Sequence, residues 1–128
     1  MPTHEVRRED WPWFFDELSR RRLGMQVSIT EVDPHEAPEL EVRSLPLMGI
    51  SYEEKGSARG AIEVMAGMTP DDHVTHSIRH PKRVYHKTAA DGVLSSEVNQ
   101  DEIVEITAAE EPPVTYLRFH AGPPHPGE

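Results

Sequence analysis

The sequence of 128 residues contains no cysteine. Disulfides, thiolate metal sites, Fe–S clusters and cysteine nucleophiles are therefore excluded. Long apolar runs are also missing, and no stretch approaches the ~20 apolar residues that a membrane helix needs. Basic residues are in the minority, with 13 Lys and Arg against 23 Asp and Glu and a net charge of -10. This acidic balance opposes binding to nucleic acid or to anionic membranes. Because the N-terminal segment has no apolar signal core, we expect a cytoplasmic protein.

One amphipathic helix is predicted near the N-terminus, over residues 11–23. Its apolar side chains follow the i, i+3, i+4, i+7 spacing of one helical face: Trp11, Phe14, Phe15 and Leu18. Asp10 is a suitable N-cap and Gly24 a suitable C-terminal stop. The basic run Arg20–Arg22 falls in the last turn, where cations favour the helix dipole. We interpret this run first as capping and solvation, and second as an anion-binding patch.

After the helix the apolar period changes from 3.6 to 2, which is typical of half-buried strands. The extended stretches are residues 25–30, 40–52, 62–64, 84–85, 93–98, 103–106 and 116–119. Pro46 must bend its strand or place it at a sheet edge. These patterns predict an α+β fold: an N-terminal amphipathic helix packed on a curved, mainly antiparallel sheet or half-barrel of six to seven strands.

The chain is predicted to form one domain. Residues 10–120 carry the helix and strands of this single α+β domain, and residues 1–9 are expected to be a flexible N-terminal segment. The tail, residues 121–128, is rich in Pro and Gly and has too little apolar content to pack, so we expect it to be disordered.

The segment 69–81 carries the one constellation that could do chemistry. It contains an Asp-Asp-His-x-x-His-x-x-x-His string: Asp71, Asp72, His73, His76 and His80. On a helix the three histidines would share a face and could hold Zn, Ni or Mn. On a strand, His76 and His80 would lie ~13 Å apart and His73 would point the opposite way.

The local sequence favours a turn followed by a strand, because β-branched residues alternate through residues 74–78. The metal hypothesis names His73, His76 and Asp72 as ligands of a divalent transition metal. In the alternative interpretation, His76 is a hydrogen-bonded core histidine, and His73 and His80 lie at the surface near turns.

Catalytic motifs are absent from the sequence. There is no Gly-x-Ser-x-Gly elbow, phosphate-binding glycine loop or dinucleotide fingerprint, so we predict neither an enzyme nor a bound cofactor. Charge is instead segregated: residues 79–87 carry only basic charges and residues 97–111 only acidic ones. If the two segments are neighbours in the sheet, their charges should pair across strands. The alternative is a polar surface that binds a partner or a second copy of the chain.

Three stretches carry a resemblance to a known family, and the closing Tyr116-Leu117-Arg118-Phe119 fits it too. They are Trp13-Phe14-Phe15-Asp16 with Ser19-Arg20, then Leu45-Pro46-Leu47-Met48-Gly49-Ile50-Ser51, then Pro70-Asp71-Asp72-His73-Val74-Thr75-His76. In this order they resemble a family of short uncharacterised bacterial proteins, a domain of unknown function. The sequence departs from it at Glu110-Glu111-Pro112-Pro113, where an acidic-Gly hairpin turn is expected. The resemblance implies a bacterial cytosolic protein and transfers no catalytic residues.

Together these observations predict a small, acidic, histidine-rich binding or assembly module rather than a catalyst. The partner classes left open are a second copy of the chain, in a homodimer, and another protein, whereas nucleic acid and membrane are not expected. The alternative is a divalent-metal or small-ligand-binding protein that uses the Asp71–His80 segment.

Overall fold

The computed structural model of the chain describes residues 3–33, 39–54, 60–88, 102–110 and 113–120, without the side chains of residues 39–43 and 88. A 3-10 turn, Arg8–Asp10, leads into helix α1, Trp11–Arg21. The strands are β1 Thr3–Val6, β2 Gln26–Val32, β3 Glu39–Tyr52, β4 Ile62–Thr69, β5 Asp72–Ile78, β6 Pro81–Thr88, β7 Glu102–Ala108 and β8 Val114–Phe119.

All eight strands belong to one sheet, in the order β1-β6-β7-β8-β2-β3-β4-β5. Every neighbouring pair is antiparallel, which confirms the predicted antiparallel sheet with a helix. The predicted count of six to seven strands is wrong for the described residues. The additional strand, β1, precedes α1 and pairs with β6, so the helix is not the first element of the chain. The predicted strand 93–98 and the predicted tail 121–128 lie outside the described residues.

Strand β3 changes its pairing partner at Pro46, where the sequence predicted a bend or a sheet edge. The first part of β3 pairs with β2 up to Pro46, and from Leu47 onward it pairs with β4. In a flat sheet β2 and β5 would stand about 14 Å apart, since two strands lie between them. Nevertheless His76 Nδ1 of β5 lies 3.3 Å from Glu31 Oε2 of β2. The sheet must therefore fold over between these strands, and β1 and β5 remain its two edges.

The core lies between α1 and the inner face of this bent sheet. Helix α1 contributes Trp11, Phe15 and Leu18, which are at most 1% exposed. The sheet contributes inward-facing residues of seven strands: Val27, Ile29, Leu47, Ile50, Ile62, Val64, Ala66, Ile78, Val84, Val104, Ile106, Leu117 and Phe119. The Ser19 hydroxyl accepts a hydrogen bond from the Ile50 backbone N–H at 3.1 Å, which fixes α1 across β3.

Residues 69–81, whose sequence is compatible with either a helix or a strand, form a turn followed by a strand. Pro70 and Asp71 form the turn, and β5 begins at Asp72. This outcome confirms the favoured interpretation, since β-branched side chains pack well on a pleated surface and lose freedom in a helix.

Candidate functional site

Strand β5 is one of the two edge strands of the sheet. It is seven residues long and, within the described part of the chain, is the last strand of the sheet. Its sequence Asp-His-Val-Thr-His-Ser-Ile contains no lysine, arginine or proline, the residues with which natural edges block further pairing. Residues 72–75 are exposed, and Val74 leaves 44% of its surface in solvent. The outer side of an edge strand presents its backbone N–H and C=O groups toward another chain.

The opposite edge, β1, is shorter than β5. It has four residues, and its Glu5 carboxylate lies 3.6 Å from the Arg83 guanidinium of the neighbouring strand. Short edge strands that carry charges are poor templates for strand addition. The fold therefore leaves β5 as the more accessible edge.

A glycine in β4 fixes the shape of the β4–β5 hairpin. A Cβ at Gly67 would lie 2.5 Å from the His73 Cα and 2.6 Å from the Asp72 carbonyl oxygen, so no larger residue fits there without a backbone shift. The register shifts between Gly67 and Thr69 in a β-bulge. The bulge leaves Met68 with 71% of its surface exposed beside the start of β5. The distortion is confined to the turn, and the strand beyond His73 keeps its regular pairing.

A small polar cavity lies at the C-terminal end of β5. The cavity has a volume of about 200 Å³ and is lined by His76, Ser77, Ile78, Arg79, Ala108, Glu110 and Thr115. The Thr115 hydroxyl is buried and has no hydrogen-bond partner among the described residues. A buried hydroxyl without a hydrogen-bond partner costs free energy.

Histidine–glutamate contacts tie the end of β5 to the rest of the sheet. His76 contacts Glu31 of β2, and both side chains are less than one fifth exposed. His80, which adopts a left-handed φ of 52°, contacts the Glu110 carboxylate at the surface. Sequence patterns did not identify Glu31, Thr115 or Glu110 as site residues, because each lies on a different strand or loop from the histidine segment.

The predicted metal ligands are not brought together. His73 and His76 lie on opposite faces of β5, since side chains alternate along a strand. Asp72 shares a face with His76 but stands four residues away, or ~13 Å along the strand. The His73 ring bonds to the Pro70 carbonyl oxygen at 2.7 Å instead. Within the described residues no group of three or more His, Asp or Glu side chains is placed to hold a metal ion.

A second polar cluster, at the end of α1, is buried in the core. Arg21 donates from Nη1 and Nη2 to the two carboxylate oxygens of Glu102 at 2.7 and 2.9 Å. Arg22 Nε donates to Glu102 Oε1 at 2.8 Å, and the His86 ring contacts Oε2. Arg22 is 0% exposed and Glu102 is 1% exposed. The sequence predicted that Arg20–Arg22 would be solvated. This prediction holds for Arg20 alone, because Arg21 and Arg22 bind Glu102 instead.

The electrostatics of this cluster keep Glu102 ionised. Burial alone raises the pKa of the Glu102 carboxyl, but hydrogen bonds from His86 and Arg21 and their charges outweigh burial and hold that pKa well below its usual range. The cluster joins α1 to β6 and β7, and its arginine and histidine side chains all contact the Glu102 carboxylate. We therefore assign it to stability rather than to ligand binding.

The predicted pairing of basic and acidic segments is confirmed. Strands β6 and β7 are antiparallel neighbours, and Lys87 Nζ donates to Glu105 Oε1 at 3.0 Å across them. Opposite charges on adjacent strands contribute roughly 0.2–1 kcal/mol per pair. The basic and acidic segments therefore stabilise the sheet where they pair across β6 and β7.

Fold and site together define an α+β protein with an open, bent antiparallel sheet whose edges are β1 and β5. No helix in the described part of the chain is long and apolar enough to cross a membrane. Residues 2–114 match the family of unknown function DUF5335, and the chain belongs to this family. It is 30% identical over 102 residues to an "Uncharacterized protein" of Aquifex aeolicus (strain VF5), an alignment that covers 80% of this chain and 86% of the relative. No solved structure matches the chain significantly.

Proposed function

We propose that this chain is a non-catalytic binding or assembly module of the cytoplasm and that the β5 edge is its binding surface. The observation that carries the proposal is the seven-residue edge strand with no protecting lysine, arginine or proline. Strand addition at such an edge gains affinity from main-chain hydrogen bonds, and the alternating side chains supply specificity. The exposed Val74 provides an apolar contact at the middle of the accessible stretch.

The test places a photo-activatable cross-linking amino acid at Val74 in the living cell. A matched control carries the same group at Trp13, which is also exposed, at 67%, but lies on helix α1. We expect a discrete covalent adduct from position 74 and none from position 13. Equal adduct formation at both positions, or none at position 74, would contradict the proposal.

A second candidate function is binding of a small polar ligand in the cavity at the C-terminal end of β5. The observation that favours it is the buried Thr115 hydroxyl, which lines the cavity together with residues 76–79 of the predicted histidine segment. This candidate function uses the same segment as the metal hypothesis of the sequence analysis. It does not involve a metal ion, because the three predicted ligands do not converge.

A thermal-shift screen with acetate, glycine, phosphate and imidazole tests this candidate. A ligand at a hundredfold excess over its Kd stabilises the folded state by roughly 2.7 kcal/mol, which is several degrees in Tm. Thr115→Val keeps the side-chain shape and removes the hydroxyl, so it should abolish the shift. If no solute raises the Tm, or if the variant responds equally, this candidate is wrong.

A further inference from the structure

We infer that the partner at the β5 edge is a second copy of this chain, joined through antiparallel β5–β5 pairing centred on Val74. This inference rests on the proposed function, since it names the occupant of the same edge. Two copies related by a two-fold axis present the same patch to each other, so the patch must be self-complementary. Exposure and side-chain chemistry along β5 decide which register meets that requirement.

The two-fold axis limits the possible registers. Directly opposite residues in an antiparallel pair lie on the same face, so the central residue must face its own copy. The first half of β5, residues 72–75, is exposed, whereas Ile78 is 4% exposed and packs in the core. His76 is held against Glu31. A register that leaves Ile78 unpaired and reaches beyond the accessible half only at His76 is therefore centred on Val74 rather than on Thr75 or His76.

The side chains match in this register. Val74 faces Val74 of the second copy, so two half-exposed apolar side chains shield each other from water. Asp72 lies opposite His76, whose ring is already held against Glu31, so this pair adds main-chain contact and no new charge pairing. His73 lies opposite Thr75 on the other face, where both are polar. Centring on Thr75 would instead put Asp72 opposite Ile78, an acidic group against a core side chain.

The expected dimer is weak. Pairing of two short strand segments buries far less than the ~1,600 Å² of a standard protein interface, so dissociation in the micromolar range or weaker is expected. The charge of -10 per copy opposes association further. The experiment must therefore trap the dimer rather than rely on its survival during dilution.

Because the sequence contains no cysteine, an introduced cysteine is the only thiol that can form a disulfide between two copies. In the proposed register the two Val74 Cα atoms face each other at about 4.5–5.5 Å, within the range that a disulfide spans. We expect Val74→Cys to form a disulfide-linked dimer under mild oxidation at least tenfold faster than two controls. The controls are Met68→Cys and Trp13→Cys, which are more exposed and outside the register. Faster cross-linking of Thr75→Cys would overturn the register.

Sedimentation equilibrium of the unmodified sequence supplies the second measurement. The wild-type chain should dimerise reversibly at high concentration, and Val74→Lys should raise the dissociation constant at least tenfold, because two ammonium groups would then face each other across the axis. Circular dichroism confirms that the variants fold, since an exposed edge position tolerates both changes. A wild-type chain that stays monomeric, with Val74→Cys no faster than its controls, overturns the inference. If position 74 nevertheless captures a different protein in the cell, the proposed function stands without the dimer; if it captures nothing, both fail.

Discussion

Removing the charge of Glu102 tests whether the buried cluster stabilises the fold. Glu102→Gln keeps the size of the side chain but removes the carboxylate charge that faces Arg22, which is 0% exposed. Breaking a buried ion pair by removing one partner costs about 3–5 kcal/mol, because the remaining charge stays buried and uncompensated. For a chain of this length each kcal/mol corresponds to about 3–5 °C in Tm. We therefore expect Tm to fall by roughly 10–25 °C.

A matched control lies on the same strand. Glu105→Gln makes the same chemical change at a carboxylate that is 19% exposed and bonds to Lys87, which is 26% exposed. Partly exposed pairs contribute less than about 1 kcal/mol. Urea denaturation at pH 7 measures the free energy of unfolding of both variants and of the wild type. If Glu102→Gln loses less than about 1 kcal/mol, or no more than the control, the assignment of the cluster to stability is wrong.

The pH dependence gives an independent check on the same residue. The folded state holds the pKa of Glu102 below its ordinary value of 4.5, so the unfolded state binds the proton more readily. The stabilisation is complete above that ordinary value and is lost as the pH falls through the lowered pKa of the folded state. The difference in stability between wild type and Glu102→Gln should therefore narrow below about pH 4.5. A difference that stays constant into that range would refute the electrostatic reasoning.

Three further predictions concern the hairpin, the core and metal binding. Gly67→Ala should destabilise the protein by about 1–3 kcal/mol, because the added Cβ would overlap the His73 backbone. Gly49→Ala is the control and should cost less than about 1 kcal/mol, because its Cβ would lie 3.6 Å from the nearest atom. Urea titrations measure the free energy of unfolding of both variants. Phe15→Ala empties a fully buried position and should cost about 3–5 kcal/mol in the same assay. Zn, Ni, Co and Mn, each measured against a chelator control, should leave Tm unchanged, and a metal-specific rise would revive the predicted site.

The sequence predicted those elements whose signal is local. Helix α1 and its glycine stop follow from the apolar spacing and from Gly24, which has a left-handed φ of 81°. The change of pairing partner within β3 falls at Pro46, and β5 follows from its β-branched residues. Strand β1 was missed because Val6 is the one apolar residue in its four, so its strand conformation depends on pairing with β6. Local patterns cannot reveal an element that a distant partner stabilises.

The candidate site depends on strand order, which periodicity does not contain. Alternation shows that a strand has an inner and an outer face, but not whether it lies at the centre or the edge of the sheet. The edge position of β5 results from the order of all eight strands. The contact between His76 and Glu31 likewise depends on the fold of the sheet at β3. The sequence singled out the segment that becomes β5 but proposed a metal that the strand geometry does not assemble.

The buried arginine, in contrast, left a signal in the sequence. Arg22 follows Trp11, Phe15 and Leu18 at the i, i+4, i+7, i+11 positions of one helical face, so it continues the stripe that enters the core. A position in the last turn suggests a solvated cation, but a position on the apolar stripe predicts a buried one. A buried guanidinium requires a carboxylate, because an unpaired charge in the core is strongly destabilising. That requirement predicts a buried acidic residue on a strand beneath the helix, and Glu102 meets it at the start of β7. Helical phase therefore decides between the two interpretations of a basic run, and residue spacing alone is enough to establish that phase.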